Sequence, residues 1–132
     1  MTKEEILAME PGSKLDVLIL DILGDSHYDS DGLKLYYNFA DPESIPDGGR
    51  TTPASVSTSI FYAWQVVEKM RDSFGFFFEL QLVTRWSELQ IWLATFHQES
   101  KFETGAEEQA KGHSAPEAIS KAAAIAMLKE AK

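Results

Sequence analysis

Tyr36, Tyr37, Arg50, Arg85, Trp86 and Trp92 are the residues of this chain whose types best suit recognition chemistry. An aromatic ring stacks on a base and a guanidinium forks a phosphate. These six, with Phe39 beside them, therefore predict a loop-lined pocket for a small, nucleotide-like ligand. The competing reading of the same residues is packing, with Trp92 in a core and Trp86 at a hairpin or a dimer contact.

Bond-breaking chemistry has little support. His27, His97 and His113 are far apart and none stands at i, i+4 from another histidine, so no local metal-binding pattern exists. Asp25, Asp29, Asp31 and Gly32 have the flavour of a calcium loop. The register that makes Gly32 the sixth residue, however, puts His27 first and Asn38 twelfth, where carboxylates are needed. The serines lack a G-x-S-x-G elbow and fall where helix caps are expected. Gly48-Gly49-Arg50-Thr51-Thr52 lacks the spacing and the lysine of a phosphate-binding loop. The expectation is a non-enzyme with no metal and no cofactor.

Composition narrows the class further. At 132 residues the chain is long enough for one domain with a real core, and the absence of cysteine removes disulfides, thiolate catalysis and zinc-thiolate sites. The net charge of −9, from 21 acidic against 12 basic residues, repels phosphate backbones and anionic lipid. Neither direct nucleic-acid binding nor membrane association is expected. No run approaches the roughly 20 apolar residues of a membrane helix, and the polar, acidic start suits neither a span nor a secretory signal. A soluble, cytoplasmic protein is expected. Asp16, Asp21, Asp25, Asp29, Asp31, Asp41, Glu43 and Asp47 concentrate in the first half and read as a solvated face, or alternatively as a mimic of a phosphate strand.

The elements that must position these residues follow from periodicity. Thr2-Lys3-Glu4-Glu5 is a capping box for a short helix over 3–9, which Pro11-Gly12 ends. Ser13 then offers an N-cap to a helix with Leu15, Leu18, Ile19, Ile22 and Leu23 on one stripe, stopped by Gly24. Residues 25–55 read as a long loop region containing an edge strand at 33–39. Ser57 is the expected N-cap of a helix whose stripe is Ile60, Ala63, Trp64, Val67 and Met70, ended by Gly75. A strand over 76–83, a reversal at 84–87, a strand over 88–97 and a third strand within 102–112 follow. Ser114-Ala115-Pro116-Glu117 opens the last helix, whose Ile119, Ala122, Ala123, Ala126 and Met127 make a small-residue stripe.

The predicted fold is α+β over residues 1–132: an antiparallel sheet of three to four strands with helices packed on it, in helix-strand-strand-strand-helix order after the N-terminal helices. Both faces of the 76–83 and 88–97 strands are apolar enough to demand cover on both sides, with the 15–23 helix as the second layer or a second copy in its place. A homo-oligomer is the expectation. Double-stranded-RNA-binding domains share this element order, but the last helix here begins Pro116-Glu117 and carries only Lys121, Lys129 and Lys132.

Three segments in the same order resemble the phage ABA sandwich domain family of small bacteriophage and prophage proteins. They are Met1-Thr2-Lys3-Glu4-Glu5-Ile6-Leu7-Ala8-Met9 with Pro11-Gly12 and Leu15-Asp16, then Ser57-Thr58-Ser59-Ile60 with Ala63-Trp64-Gln65-Val66-Val67-Glu68-Lys69, then Ser114 to Ala123. The resemblance implies a helix-sheet-helix sandwich of phage origin and carries no catalytic motif. The functional expectation is a non-enzymatic accessory protein that binds a host protein or a small ligand and counteracts bacterial defence. The alternatives are an acidic nucleic-acid mimic that inhibits a host DNA-handling enzyme, and a hydrolase whose carboxylates and histidines meet only in the fold.

Overall fold

The computed structural model describes residues 2–24, 26–28, 34–36, 55–83, 90–98 and 107–130, with backbone alone for 26–28, 34–36 and 129–130. The elements are α1 (Lys3–Ala8), α2 (Ser13–Ile22), β1 (Ser26–Tyr28), β2 (Lys34–Tyr36), α3 (Ile60–Phe74), β3 (Phe77–Leu82), β4 (Trp92–His97), β5 (Glu107–Gly112) and α4 (Ala115–Glu130). The fold is α+β. The strands β3, β4 and β5 form an antiparallel meander with Leu80 opposite Ala94 and Ala94 opposite Ala110.

The helix starts keep only part of their expected capping. Thr2 accepts the Glu5 amide at 3.2 Å, while Glu5 answers to the Thr2 hydroxyl at 3.3 Å and not to its amide. The N-cap of α2 is Gly12 and not Ser13: Gly12 has φ 151, a conformation that side chains resist, and its N–H is taken by a distant serine. Gly75, at φ 74, ends α3 as a left-handed cap whose N–H bonds back to Arg71, as its position predicts.

The last helix is the axis of the core. Every residue of α4 from Pro116 to Ala126 is buried. One side of it lies on β5 and β4, and the other sides meet α3, α2 and α1. Alanines at 118, 122, 123, 124 and 126 make this possible, because a helix enclosed on all sides needs small residues wherever a neighbour's backbone comes close. The α2 helix therefore packs on α4 and does not cover the far face of the sheet, which corrects the expected second layer. That far face is also less apolar than expected: Glu79, Gln81, Glu107, Gln109 and Lys111 are exposed on it beside Phe77. On the near face, Phe96 meets Phe76 at 6.2 Å and Phe78 at 5.0 Å between ring centroids, and Ile6, Leu15, Ile19, Leu20, Val66, Met70 and Ile119 complete the core.

Two further expectations shift. The expected edge strand at 33–39 is present as β2, but it pairs with β1 in a separate two-stranded ribbon (His27 opposite Leu35) and not with the main sheet. The β4 strand begins at Trp92, and the expected reversal at 84–87 lies outside the described residues, as do Leu33 and 37–54. The ladder between β3 and β4 continues one pair further, with the Val83 N–H donating to the Ile91 carbonyl at 2.8 Å.

Candidate functional site

The six aromatic and arginine residues singled out in the sequence do not assemble among the described residues. Tyr37, Arg50, Arg85 and Trp86 lie outside them, and Tyr36 is described only as backbone, opposite Ser26 in the ribbon. Trp92 is half-buried at the start of β4, between Leu82 and Gly112 on the helix-bearing side of the sheet, where it packs on the core. Its position is that of a structural residue. Asp21 is exposed, while Asp25, Asp29 and Asp31 of the acidic stretch lie outside the described residues.

Asp16 departs from the solvated face assigned to it: it is 4% exposed. Its Oδ1 accepts the Ser57 amide at 2.8 Å and the Ser57 hydroxyl at 2.6 Å, and Ser57 Oγ in turn accepts the Gly12 amide at 2.9 Å. Ser57 is thus no helix cap, and Ser59 takes that position without a side-chain bond. The node joins the start of α2 to the turn before α3 across more than 40 residues of chain. A serine hydroxyl bonded to a carboxylate has the form of a nucleophile and its base, but Ser57 is completely buried and cannot meet a substrate. Burial raises the Asp16 pKa above the usual carboxylate value, and the two bonds from Ser57 pull it down less strongly.

A second buried polar node fixes α1. Lys121 Nζ bonds Glu117 Oε2 at 2.7 Å and the Leu7 carbonyl at 3.0 Å, capping the end of α1, and Glu117 Oε1 accepts the His113 amide at 3.1 Å. Both side chains are almost fully enclosed. The charges of Lys121 and Glu117 are spent on each other and on the backbone at Leu7 and His113, so the node is architecture. His97 lies against Phe77 at 5.5 Å, and no group of three histidine, aspartate or glutamate side chains suited to a metal occurs among the described residues.

Among the described residues, the surface features able to engage a partner include a cleft region and a helix face. The first is a pair of adjoining clefts of about 540 and 420 Å³ at the corner of α1 and α2, which share Met9, Ser13 and Lys14 and extend over Val17 and Leu18. The second is the outer face of α3, where Ile60, Phe61 and Trp64 are 53%, 58% and 47% exposed. The buried side of α3 is Ala63, Val66, Val67 and Met70, at i, i+3, i+4 and i+7. The expected stripe of Ile60 and Trp64 is therefore rotated: these two belong to the outside. Trp64 retains one edge-on contact, with Phe78 at 5.9 Å, and Phe61 packs edge-on with Tyr62 at 5.3 Å. Three large apolar side chains about half exposed present on the order of 300 Å² of apolar surface, a patch of the size that carries function on a monomer. Phe61 was the available signal in the sequence, since it lies off any single helical stripe that contains Ala63 and Met70.

No family model matches this chain, and neither a curated protein nor a solved structure matches it. No helix among the described residues is long and apolar enough to cross a membrane.

Proposed function

We propose that this chain is a non-enzymatic binding protein of phage or prophage origin that holds a host protein against the outer face of α3 and so interferes with a host process such as antiviral defence. The observation that carries the reading is the outward placement of Ile60, Phe61 and Trp64 on a helix whose other side already supplies the core. Burying such aromatic side chains is what gives protein interfaces their strongest anchors. Arg71 and Asp72 pair with each other at the end of this helix, so the patch is met by an apolar groove, with the overall charge of −9 favouring a basic partner. The phage origin rests on the three-segment resemblance, and occupancy as a mechanism fits a site without a reactive group. A protein partner is preferred to a nucleotide-like ligand because Trp92, the one residue of the aromatic set with a described side chain, is engaged in packing.

The test is photo-crosslinking from position 61 in the host cell, with and without Trp64→Glu. A discrete crosslinked host protein that disappears in the variant, while the melting temperature stays within a few degrees, supports the proposal. An unchanged crosslinking pattern in the variant refutes it.

A further inference from the structure

The two edge strands of the main sheet differ in what they offer a further strand. Among the described residues, β3 lies at one edge and β5 at the other. Charged Glu107 and Lys111 stand on β5, and Lys3 of α1 reaches its Glu108 at 3.7 Å. Those are devices that discourage strand addition. β3, with the sequence Phe77-Phe78-Glu79-Leu80-Gln81-Leu82, has one charge and no proline.

The hydrogen-bond alternation identifies the free groups. Val83 donates to Ile91 within an opposed pair, so the residues of its parity, 77, 79 and 81, direct their amides and carbonyls at β4. Phe78, Leu80 and Leu82 direct theirs away from the sheet, and no bond from those groups is present among the described residues. Their side chains, on the helix-bearing face, are only half-buried.

We infer that two copies of this chain associate through antiparallel pairing of β3 with β3 about a twofold axis at Leu80. In this register Leu80 opposes Leu80 of the second copy, Phe78 opposes Leu82, Glu79 opposes Gln81, and Phe77 opposes Val83. The free amides and carbonyls at 78, 80 and 82 then close about six backbone bonds. The half-buried apolar side chains complete one another's cover. Phe77 at 56% exposure and Val83 at 42% meet on the other face. Moving the axis by one residue, to position 79, would set Glu79 against Glu79, a like-charge pair that the register at Leu80 avoids. Pairing of this kind keeps equivalent faces together, so both α3 helices lie on the same side of a continuous sheet. The contact is one strand wide, so the dimer is reversible and concentration-dependent. This inference is independent of the host partner at α3.

Sedimentation equilibrium of the full chain, run as wild type, Gln81→Glu and Gln81→Lys, tests it. Position 81 is exposed, so neither change disturbs the core. The expected result is a monomer–dimer equilibrium tightened by lysine, which faces Glu79 of the other copy, and weakened by glutamate, with dissociation constants at least about tenfold apart. Amide exchange should slow with concentration at Phe78, Leu80 and Leu82. A chain that is monomeric at every concentration, equal constants for the two variants, or new protection on β5 instead of β3 would each overturn the inference.

Discussion

Removing the Asp16 carboxylate should separate two roles that it holds at once: acceptor for Ser57 and buried charge. In Asp16→Ala the Ser57 amide, bonded at 2.8 Å, loses its acceptor in a buried position at a cost of about 1–3 kcal/mol. The Ser57 hydroxyl is less affected, because it can turn to the Gly12 carbonyl at 3.2 Å. Loss of the carboxylate also relieves its own desolvation, and that relief is not small, since burial outweighs both Ser57 bonds in setting the raised pKa. The net expectation for alanine is about 1–2 kcal/mol of lost stability. Asp16→Asn keeps an oxygen for both donors and sheds the charge, so it should lie within about 1 kcal/mol of wild type at neutral pH. The pH dependence has a definite sign. A carboxylate whose folded pKa exceeds its ordinary value of 3.8 binds more protons in the folded state. Stability from this group therefore falls as pH rises from about 3.8 through the folded pKa, and returns on acidification through the same window. Urea unfolding of wild type, Asp16→Asn and Asp16→Ala from pH 7 down to pH 4 measures all three quantities. The asparagine variant should lose ground relative to wild type as pH falls. If asparagine is as damaging as alanine, or gains on wild type under acid, the account of a desolvated carboxylate holding Ser57 is wrong.

Gly112→Ala should lower the melting temperature, with a cost of about 1–3 kcal/mol, because a Cβ at Gly112 would stand 2.7 Å from the Ala118 backbone nitrogen at the start of α4. A melting temperature equal to wild type would show that α4 can retreat from β5. Lys121→Met should cost about 3–5 kcal/mol in chemical denaturation by stranding Glu117, and the further change Glu117→Gln should recover a large part of it. Additive losses in the double variant would contradict a coupled pair.

Much of the local structure was legible in the sequence because its causes are local. The Thr2 cap, the Gly75 stop, the Pro116 helix start and the alternation of Phe77–Leu82 each depend on a few consecutive residues, and so does the element order that makes the chain α+β. The aromatic–arginine site was legible only as a list of residue types. Trp92 turned out to pack against the core because its strand sits beside Gly112, a neighbour supplied from 20 positions away. What tertiary structure alone decided is which side of each element faces inward. An α3 with apolar residues on two arcs has two candidate buried faces, and contact with α4 selects Ala63, Val66, Val67 and Met70, leaving Ile60, Phe61 and Trp64 to the outside. An aspartate in a helix reads as solvated until a serine 41 positions later gives it donors to be buried with. The alanines of α4 are compatible with a surface or an interior, and only the sheet on one side with three helices around the rest makes them the centre. Propensity acts over a few residues of one segment, whereas the direction a face points depends on surfaces brought together from far along the chain.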